Sequence, residues 1–374
     1  MSFRKFLDKI ACITLGPSAF NSIVAQEGKI SLRRYYKTLL RRKMLVGEFK
    51  EYTSQLNGLA EGVSDNVFPV TAPLVLISQI QRSGGTLLSQ LFDGHPELHA
   101  HPHELKLGYP KKHMWPKIDL DEDPQRWLEI LFEDKVIDHF KDGYKKERKH
   151  DEAYKFTFIP AVQRRIFLDY LGAIERKTLR DVFDAYMTSY FGAWINNQNG
   201  SGEKKFITAF TARLAMNKDN MESFFEIYPD GRLISIVRDP KNWFPSAVRH
   251  DPLKYGDIRG ALGLWCESTQ AMIQNKDKFG ERVCILRFED LVSNTALVMR
   301  HLADFLGISF DEILLRPTFN KFPIKANTSF TRGEAGILDS TLRRYETLRD
   351  QELKLINEMT EEEYRKILDI IDKF

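Results

Sequence analysis

Cysteine is scarce in this chain: Cys12, Cys266 and Cys284 are the three among 374 residues. Three thiols at that spacing build neither a disulfide framework nor a zinc motif, so a reducing compartment is expected. Long apolar runs are missing too, and none approaches the ~20 residues that span a bilayer. The opening stretch "MSFRKFLDKIACITLGPSAF" is interrupted by Asp8 and Lys9 and makes a poor signal peptide. Together these absences point to a cytoplasmic protein. Charge of one sign is also lacking. The 55 lysines and arginines against 52 acids leave a formal +3, which does not indicate a nucleic-acid binder. No internal repeat or low-complexity segment is present. What remains is the composition of a globular protein, long enough for one large domain or two ordinary ones.

What is present falls into two parts. Residues 1–70 read as a helical N-terminal extension. Its segment "SLRRYYKTLLRRK" (31–43) is strongly basic, with Leu32, Tyr35, Tyr36, Leu39 and Leu40 at helical spacing. That stripe suits packing on the main domain, or peripheral contact with a membrane surface. Residues 71–374 read as one α/β domain. "LVLISQI" (74–80), "RLISIV" (232–237) and "VCILRF" (283–288) are continuous apolar runs of the kind a parallel sheet buries on both faces. Helical patterns follow or precede each. Leu87, Leu88, Leu91 and Phe92 share one face, as do Met221, Phe224, Phe225 and Tyr228; a third helix runs from Ser293 to Leu306 and stops at Gly307. This alternation predicts a parallel central sheet flanked by helices. Residues 111–205 read mostly as helix, an insertion in the α/β pattern, with "KDGYKKERKHDEAYK" as a solvated run. Thr360 and Glu363 form a capping-box pattern ahead of a last amphipathic helix.

Two stretches carry chemistry. In "QRSGGTLLSQLF" (81–92), a glycine-bearing turn joins the first strand to a helix. Such a turn gathers backbone N–H groups into an anion nest at the helix N-terminus. Ser83 and Thr86 add hydroxyls, and Arg82 adds a charged donor fork. It is not a triphosphate P-loop. With Thr86 in the final hydroxyl position, Gly85 stands where the lysine belongs and Gln79 where the first glycine belongs. In "IVRDPKNWFPSAVRH" (236–250), Arg238 sits at the carboxyl end of a parallel strand. Ser246 follows eight residues later, on a short helix led by Pro245. The pair would converge on a second anionic group. The alternative for each stretch is a plain structural turn and a surface Arg238–Asp239 pair.

Taken together, the two stretches resemble the sulfotransferases that use 3′-phosphoadenosine-5′-phosphosulfate (PAPS), nearer their Golgi-type and bacterial branches than the cytosolic one. "QRSGGTLLSQLFDGHPEL" looks like the family's 5′-phosphosulfate loop, and "LISIVRDPKNWFPSAV" like its 3′-phosphate strand, loop and helix. "CILRFEDLVSNTALVMRHLADFLGI" resembles a later family segment. The three occur in family order and cover roughly a third of the chain. The resemblance implies a fold like that of the P-loop nucleotide kinases. It also implies transfer of a sulfuryl group from PAPS to an acceptor hydroxyl, leaving adenosine 3′,5′-bisphosphate (PAP), with no metal.

Residue by residue, Arg82, Ser83, Gly84, Gly85, Thr86 and Leu87 would grip the 5′-phosphosulfate. Gly85 departs from the family, which more often has threonine or serine there. Arg238 and Ser246 would hold the 3′-phosphate. Arg213, 25 residues before Arg238, matches a basic position of the tyrosyl-protein branch and would reach the sulfuryl group. Arg332 and Gly333 weakly resemble the loop that closes over the nucleotide, and Tyr345 is no stronger. For the base, a count from the first helix lands on His103, with Glu104 beside it; Glu104 ranks first and His103 second. His95, His99, His101 and His103 alternate in a way that invites a metal, but no further pattern completes a hydrolase set. The acceptor is expected to be a carbohydrate or glycolipid; Tyr109, Trp115, Trp127, Tyr154, Phe156 and Phe158 suit such an acceptor as well as they suit a core. The rival readings are a nucleotide-dependent phosphotransferase and a non-catalytic PAPS- or PAP-binding scaffold.

Overall fold

Leu74–Ile77 (β1) is buried at every residue and has a parallel neighbour on each side, Phe206–Phe210 (β3) and Arg232–Val237 (β4). A strand covered on both faces has no solvent side, which is why it reads as an unbroken apolar run. Leu98–Ala100 (β2) and Val283–Arg287 (β5) complete a five-stranded, all-parallel sheet of order β2-β3-β1-β4-β5. The structure is a computed structural model that describes residues 67–107, 114–142, 155–324 and 339–371. The basic segment 31–43, Tyr109, Tyr154, Arg332, Gly333 and most of the 141–155 run lie outside these residues.

In chain order the α-helices are α1 (Gly85–Phe92), α2 (Pro124–Leu131), α3 (Lys135–Asp142), α4 (Pro160–Gly172), α5 (Leu179–Ala193) and α6 (Lys218–Ile227). They continue with α7 (Pro240–His250), α8 (Pro252–Tyr255), α9 (Ile258–Phe279), α10 (Phe288–Ser293), α11 (Thr295–Leu306) and α12 (Asp350–Ile370). On one face of the sheet, Val75, Ile77, Ile234, Ile236, Cys284 and Leu286 pack with Leu88 and Leu91 of α1 and Val298, Met299 and Leu302 of α11. On the other side α9 packs against β5 and is itself covered by α12. None of the described helices is long and apolar enough to cross a membrane.

The sheet order sets where a ligand can sit. From β1 the chain moves to β2 and β3 on one side, then to β4 and β5 on the other. The order therefore reverses beside β1. In open parallel sheets a crevice forms at that point, outside the carboxyl ends of the strands. The segments that leave β1, β3 and β4 there begin at Ser78, Thr211 and Arg238.

Several expected boundaries shift. β1 stops at Ile77, and Ser78–Ile80 belong to the turn. Phe288 opens α10 instead of closing β5. The helix carrying Ser246 starts at Pro240, not Pro245. Asp239 caps it by accepting from Lys241 N at 2.8 Å, and Pro240 presets the first helical φ, so Pro245 falls inside. The Thr360–Glu363 box is also not a helix start. No breaker separates it from residue 350, so α12 runs through; Thr360 is buried with its hydroxyl donating to Ile356 O at 2.7 Å. The cap is Arg349, whose N–H donates to Glu352 at 2.9 Å. Of the aromatics that suited either a sugar or a core, the four that the structure describes are core. Trp115, Trp127, Phe156 and Phe158 are buried, with Trp115 stacked on Phe183 at 5.1 Å between ring centroids.

Candidate functional site

The turn between β1 and α1 is anchored residue by residue. Ser78 Oγ accepts from Ala215 N at 2.9 Å, and Ser235 Oγ donates to Ser78 O at 2.8 Å. Gln79 O accepts from Arg213 N at 2.9 Å, and its side-chain oxygen, with the amide turned to satisfy both ends, accepts from Gly85 N at 3.2 Å. Gln81 O accepts from the Trp243 indole at 2.8 Å, and Gln81 Oε1 from the Tyr255 hydroxyl at 2.7 Å. Arg82 and Gly84 are left-handed, with φ of 72° and 104°. That conformation is free for glycine and costs an arginine about 1–2 kcal/mol, strain of the kind functional turns store. Gly84 caps α1 without a side-chain cap, and there is no acid in the first turn. With the Gly85 amide taken by Gln79, the amides of Thr86 and Leu87 are left for an anion.

Arg82 occupies the centre of a cationic cluster. Its Nε donates to Ser246 Oγ at 3.3 Å. Arg238, buried at the end of β4, donates from Nη1 to Arg82 O at 2.9 Å and from Nη2 to Thr341 O at 2.7 Å. Its guanidinium lies 4.4 Å from the Phe288 ring centroid. Burial first, then the nearby Arg82 and Arg344, bring Arg238 down to about 10, with Glu289 opposing. Burial also lowers Arg82. Arg344 is lowered by burial and by the fields of Arg249 and Arg82. Arg344 was not singled out from sequence. It is placed by Asn242 Oδ1, which accepts from the backbone N–H of Arg344 at 2.8 Å and of Tyr345 at 3.3 Å. Arg213, the left-handed residue after β3 (φ 67°), joins from the third strand end. Its charge and that of Arg82 both act on the Tyr255 hydroxyl, which burial pushes up to about 12.

Among the described polar atoms of this region buried without a hydrogen-bond partner are one acceptor, Glu289 Oε2, and three donors: Ser83 Oγ, Arg213 Nε and Arg238 Nε. Each of the three donors follows a different central strand. Orphaned buried donors are costly, and they are what the oxygens of a bound phosphate or sulfate satisfy.

A profile described as the Sulfotransferase family matches residues 73–312, more than half the chain. The chain belongs to the sulfotransferase family. No curated protein sequence matches it. Among solved structures it is similar to a sulfotransferase domain from the curacin biosynthetic pathway, at 17% identity and a TM-score of 0.43, covering 79% of this chain and 99% of that one. The sulfotransferase from Alicyclobacillus acidocaldarius is 13% identical, with a TM-score of 0.43 over 80% and 95% of the two chains. Retinol dehydratase in a complex with retinol and PAP is 15% identical, with a TM-score of 0.37 over 84% and 87%.

In this sulfotransferase the base candidates sit on a bulge at the sheet edge. His101 N donates to Thr208 O at 2.8 Å and Leu105 N to Phe210 O at 2.7 Å, four residues on one side against two on the other. A regular parallel ladder would advance equally, so two residues are extra and the segment 102–104 is pushed out. His103 and Glu104 then part ways. His103 is buried, with Nε2 2.9 Å from the Tyr190 hydroxyl and Nδ1 3.1 Å from Glu104 O. Burial, then His101 and His139, hold its pKa well below the ordinary value. Glu104 is 37% exposed and pairs with Lys106 at 3.3 Å. Glu104 and Arg82 are both among the charges that act on His250, whose pKa burial lowers first.

Behind the bulge lies Glu133, fully buried. It accepts from Tyr186 OH at 2.9 Å and Lys106 N at 3.1 Å, and lies 2.9 Å from His101 Nε2. His101, His103 and Glu133 bring potential metal-ligand atoms within 4.8 Å of one another. In this structure those atoms bond to each other and to the bulge. His101 Nδ1 is 2.8 Å from His103 O, a carbonyl that only accepts, so a proton must also lie between His101 Nε2 and Glu133. Glu133→Gln is expected to lower stability by about 3 kcal/mol in urea unfolding, because a buried pair loses one member. Glu133 and Tyr190 gave no sequence signal, since a lone acid and a lone tyrosine among helical residues mark nothing until the fold brings them together.

Proposed function

We infer that this sulfotransferase takes PAPS as its donor and transfers the sulfuryl group to an acceptor hydroxyl. The observation that carries the reading is the convergence of Arg82, Arg213, Arg238, Ser246 and Arg344 on one crevice, with orphaned donors at all three strand ends. When bound, PAPS supplies a sulfur already activated by a bisphosphate leaving group. The amides of Thr86 and Leu87 with Arg82 bind the 5′-phosphosulfate. Arg238 Nε, Ser246 and Arg344 bind the 3′-phosphate. Arg213 offsets charge building on the bridging oxygen as it leaves. Glu104 takes the acceptor's proton as the new S–O bond forms in line with the breaking one. Positioning and charge stabilisation then supply most of the rate, as in phosphoryl transfer. Guanidinium groups provide the positive charge that triphosphate enzymes draw partly from a metal, and the site as proposed uses none.

The test is calorimetry with PAP in the absence of metal, against ATP with Mg²⁺. PAP should bind, and Ser246→Ala should weaken it about tenfold, the cost of one hydrogen bond to a charged group. Binding of ATP–Mg²⁺ alone would favour a phosphotransferase. An acceptor screen with labelled PAPS follows, beginning with carbohydrate and glycolipid hydroxyls and extending to sterols and phenols.

A further inference from the structure

Two groups assigned to one end of the donor are bonded to the residue assigned to the other. Ser246 Oγ accepts from Arg82 Nε at 3.3 Å, and Arg238 Nη1 donates to Arg82 O at 2.9 Å. A third contact comes from Phe288, the first residue of α10. Its ring supports the Arg238 guanidinium at 4.4 Å. The same ring also meets the loop: a Cβ on Gly84 would come within 2.5 Å of its Cδ2. Arg82 and Gly84 are the left-handed residues of the turn that opens α1. So the backbone at Gly84 rests on Phe288, and the carbonyl at Arg82 is tied to Arg238.

We propose that Phe288 and Arg238 are positioning residues for the first loop. They form a wedge that holds Arg82 and Gly84 left-handed, so that the Thr86 and Leu87 amides stay directed at the 5′-phosphosulfate. This rests on the PAPS reading and adds a mechanical link to it. Arg238 has five donors and already gives two to carbonyls, of Arg82 and Thr341. Its work is divided between ligand and loop. The link also resolves an electrostatic problem. The Arg82 and Arg238 charges oppose each other, and the bond to the Arg82 carbonyl keeps them together where an anion can use both. The consequence is that a nucleotide with no 3′-phosphate still depends on Arg238, and on Phe288, to which the PAPS reading assigns no part of the nucleotide.

The experiment uses the full chain and two nucleotides, PAP and adenosine 5′-phosphosulfate, which lacks the 3′-phosphate. Calorimetry on wild type, Arg238→Ala and Phe288→Leu should show adenosine 5′-phosphosulfate bound about tenfold more weakly by both variants. Hydrogen exchange without ligand supplies a second readout: residues 82–87 should exchange faster in both variants while α5 stays as protected as in wild type. A general loss of stability would speed α5 as well, and that result counts against the proposal. So does unchanged exchange at 82–87. If Arg238→Ala weakens PAP alone and leaves adenosine 5′-phosphosulfate within about twofold of wild type, Arg238 is a 3′-phosphate contact only and the wedge is overturned. If wild type binds neither nucleotide, the donor reading falls first, a result distinct from failure of the wedge.

Discussion

Glu104→Gln should lower kcat by about 10²–10⁴-fold with whichever acceptor the screen yields, the usual contribution of a positioned base. PAP affinity should stay within about twofold, because the proposed phosphate contacts do not include Glu104. The contrast with His103 makes the prediction specific. Both nitrogens of His103 already face partners, Tyr190 OH and Glu104 O, and burial keeps its pKa well below the ordinary histidine value. Taking a proton there would bury a charge beside the rings of His139 and Phe156, at 4.8 and 6.4 Å between centroids. The acid against it is Glu133, at 3.6 Å and already engaged by His101, Tyr186 and Lys106. His103→Asn should therefore cost stability and turnover together. Glu104→Gln should cost turnover alone. If Glu104→Gln keeps wild-type kcat while His103→Asn abolishes it without unfolding, the order of the two candidates is reversed.

The difference between these neighbours also shows where sequence reasoning ends. The β1 and β4 strands were legible because central parallel strands carry unbroken apolar runs, and Arg82, Arg238 and Ser246 follow those strands directly. β3 was passed over. "FITAF" is five residues long and lies at the end of a stretch that reads as helix, yet it holds the place beside β1 and delivers Arg213. β2, three residues long, offers no periodicity at all. The bulge that separates His103 from Glu104 is set by pairing with Thr208 and Phe210, about a hundred residues on, and no local pattern encodes it. Arg344 reaches the cluster through Asn242 in the same non-local way. Helix starts failed for a simpler reason. Thr360 and Pro245 carry the motif of a helix start, whereas the chain starts a helix at the first position where cap and φ agree, and α7 and α12 both begin upstream.

Gly85 stands where the sequence resemblance implies threonine or serine, and its surroundings in the structure suit glycine alone. A Cβ there would collide with the Phe210 ring and with the Gln79 amide. Phe210 ends β3, and Gln79 binds the Gly85 amide, so the space a threonine side chain would need is filled by two groups that shape the loop. Gly85→Thr, which restores the residue more usual in the family, should therefore destabilise by about 1–3 kcal/mol, the cost of overpacking. It should also weaken PAP binding, since Gln79 must give way and its O accepts from Arg213 N. Urea unfolding and calorimetry check both effects. The double variant Gly85→Thr with Phe210→Leu, which makes room on the ring side, should recover part of the stability. A Gly85→Thr protein as stable as wild type, binding PAP as tightly, would mean that Phe210 and Gln79 move aside freely and that glycine is not required at this turn.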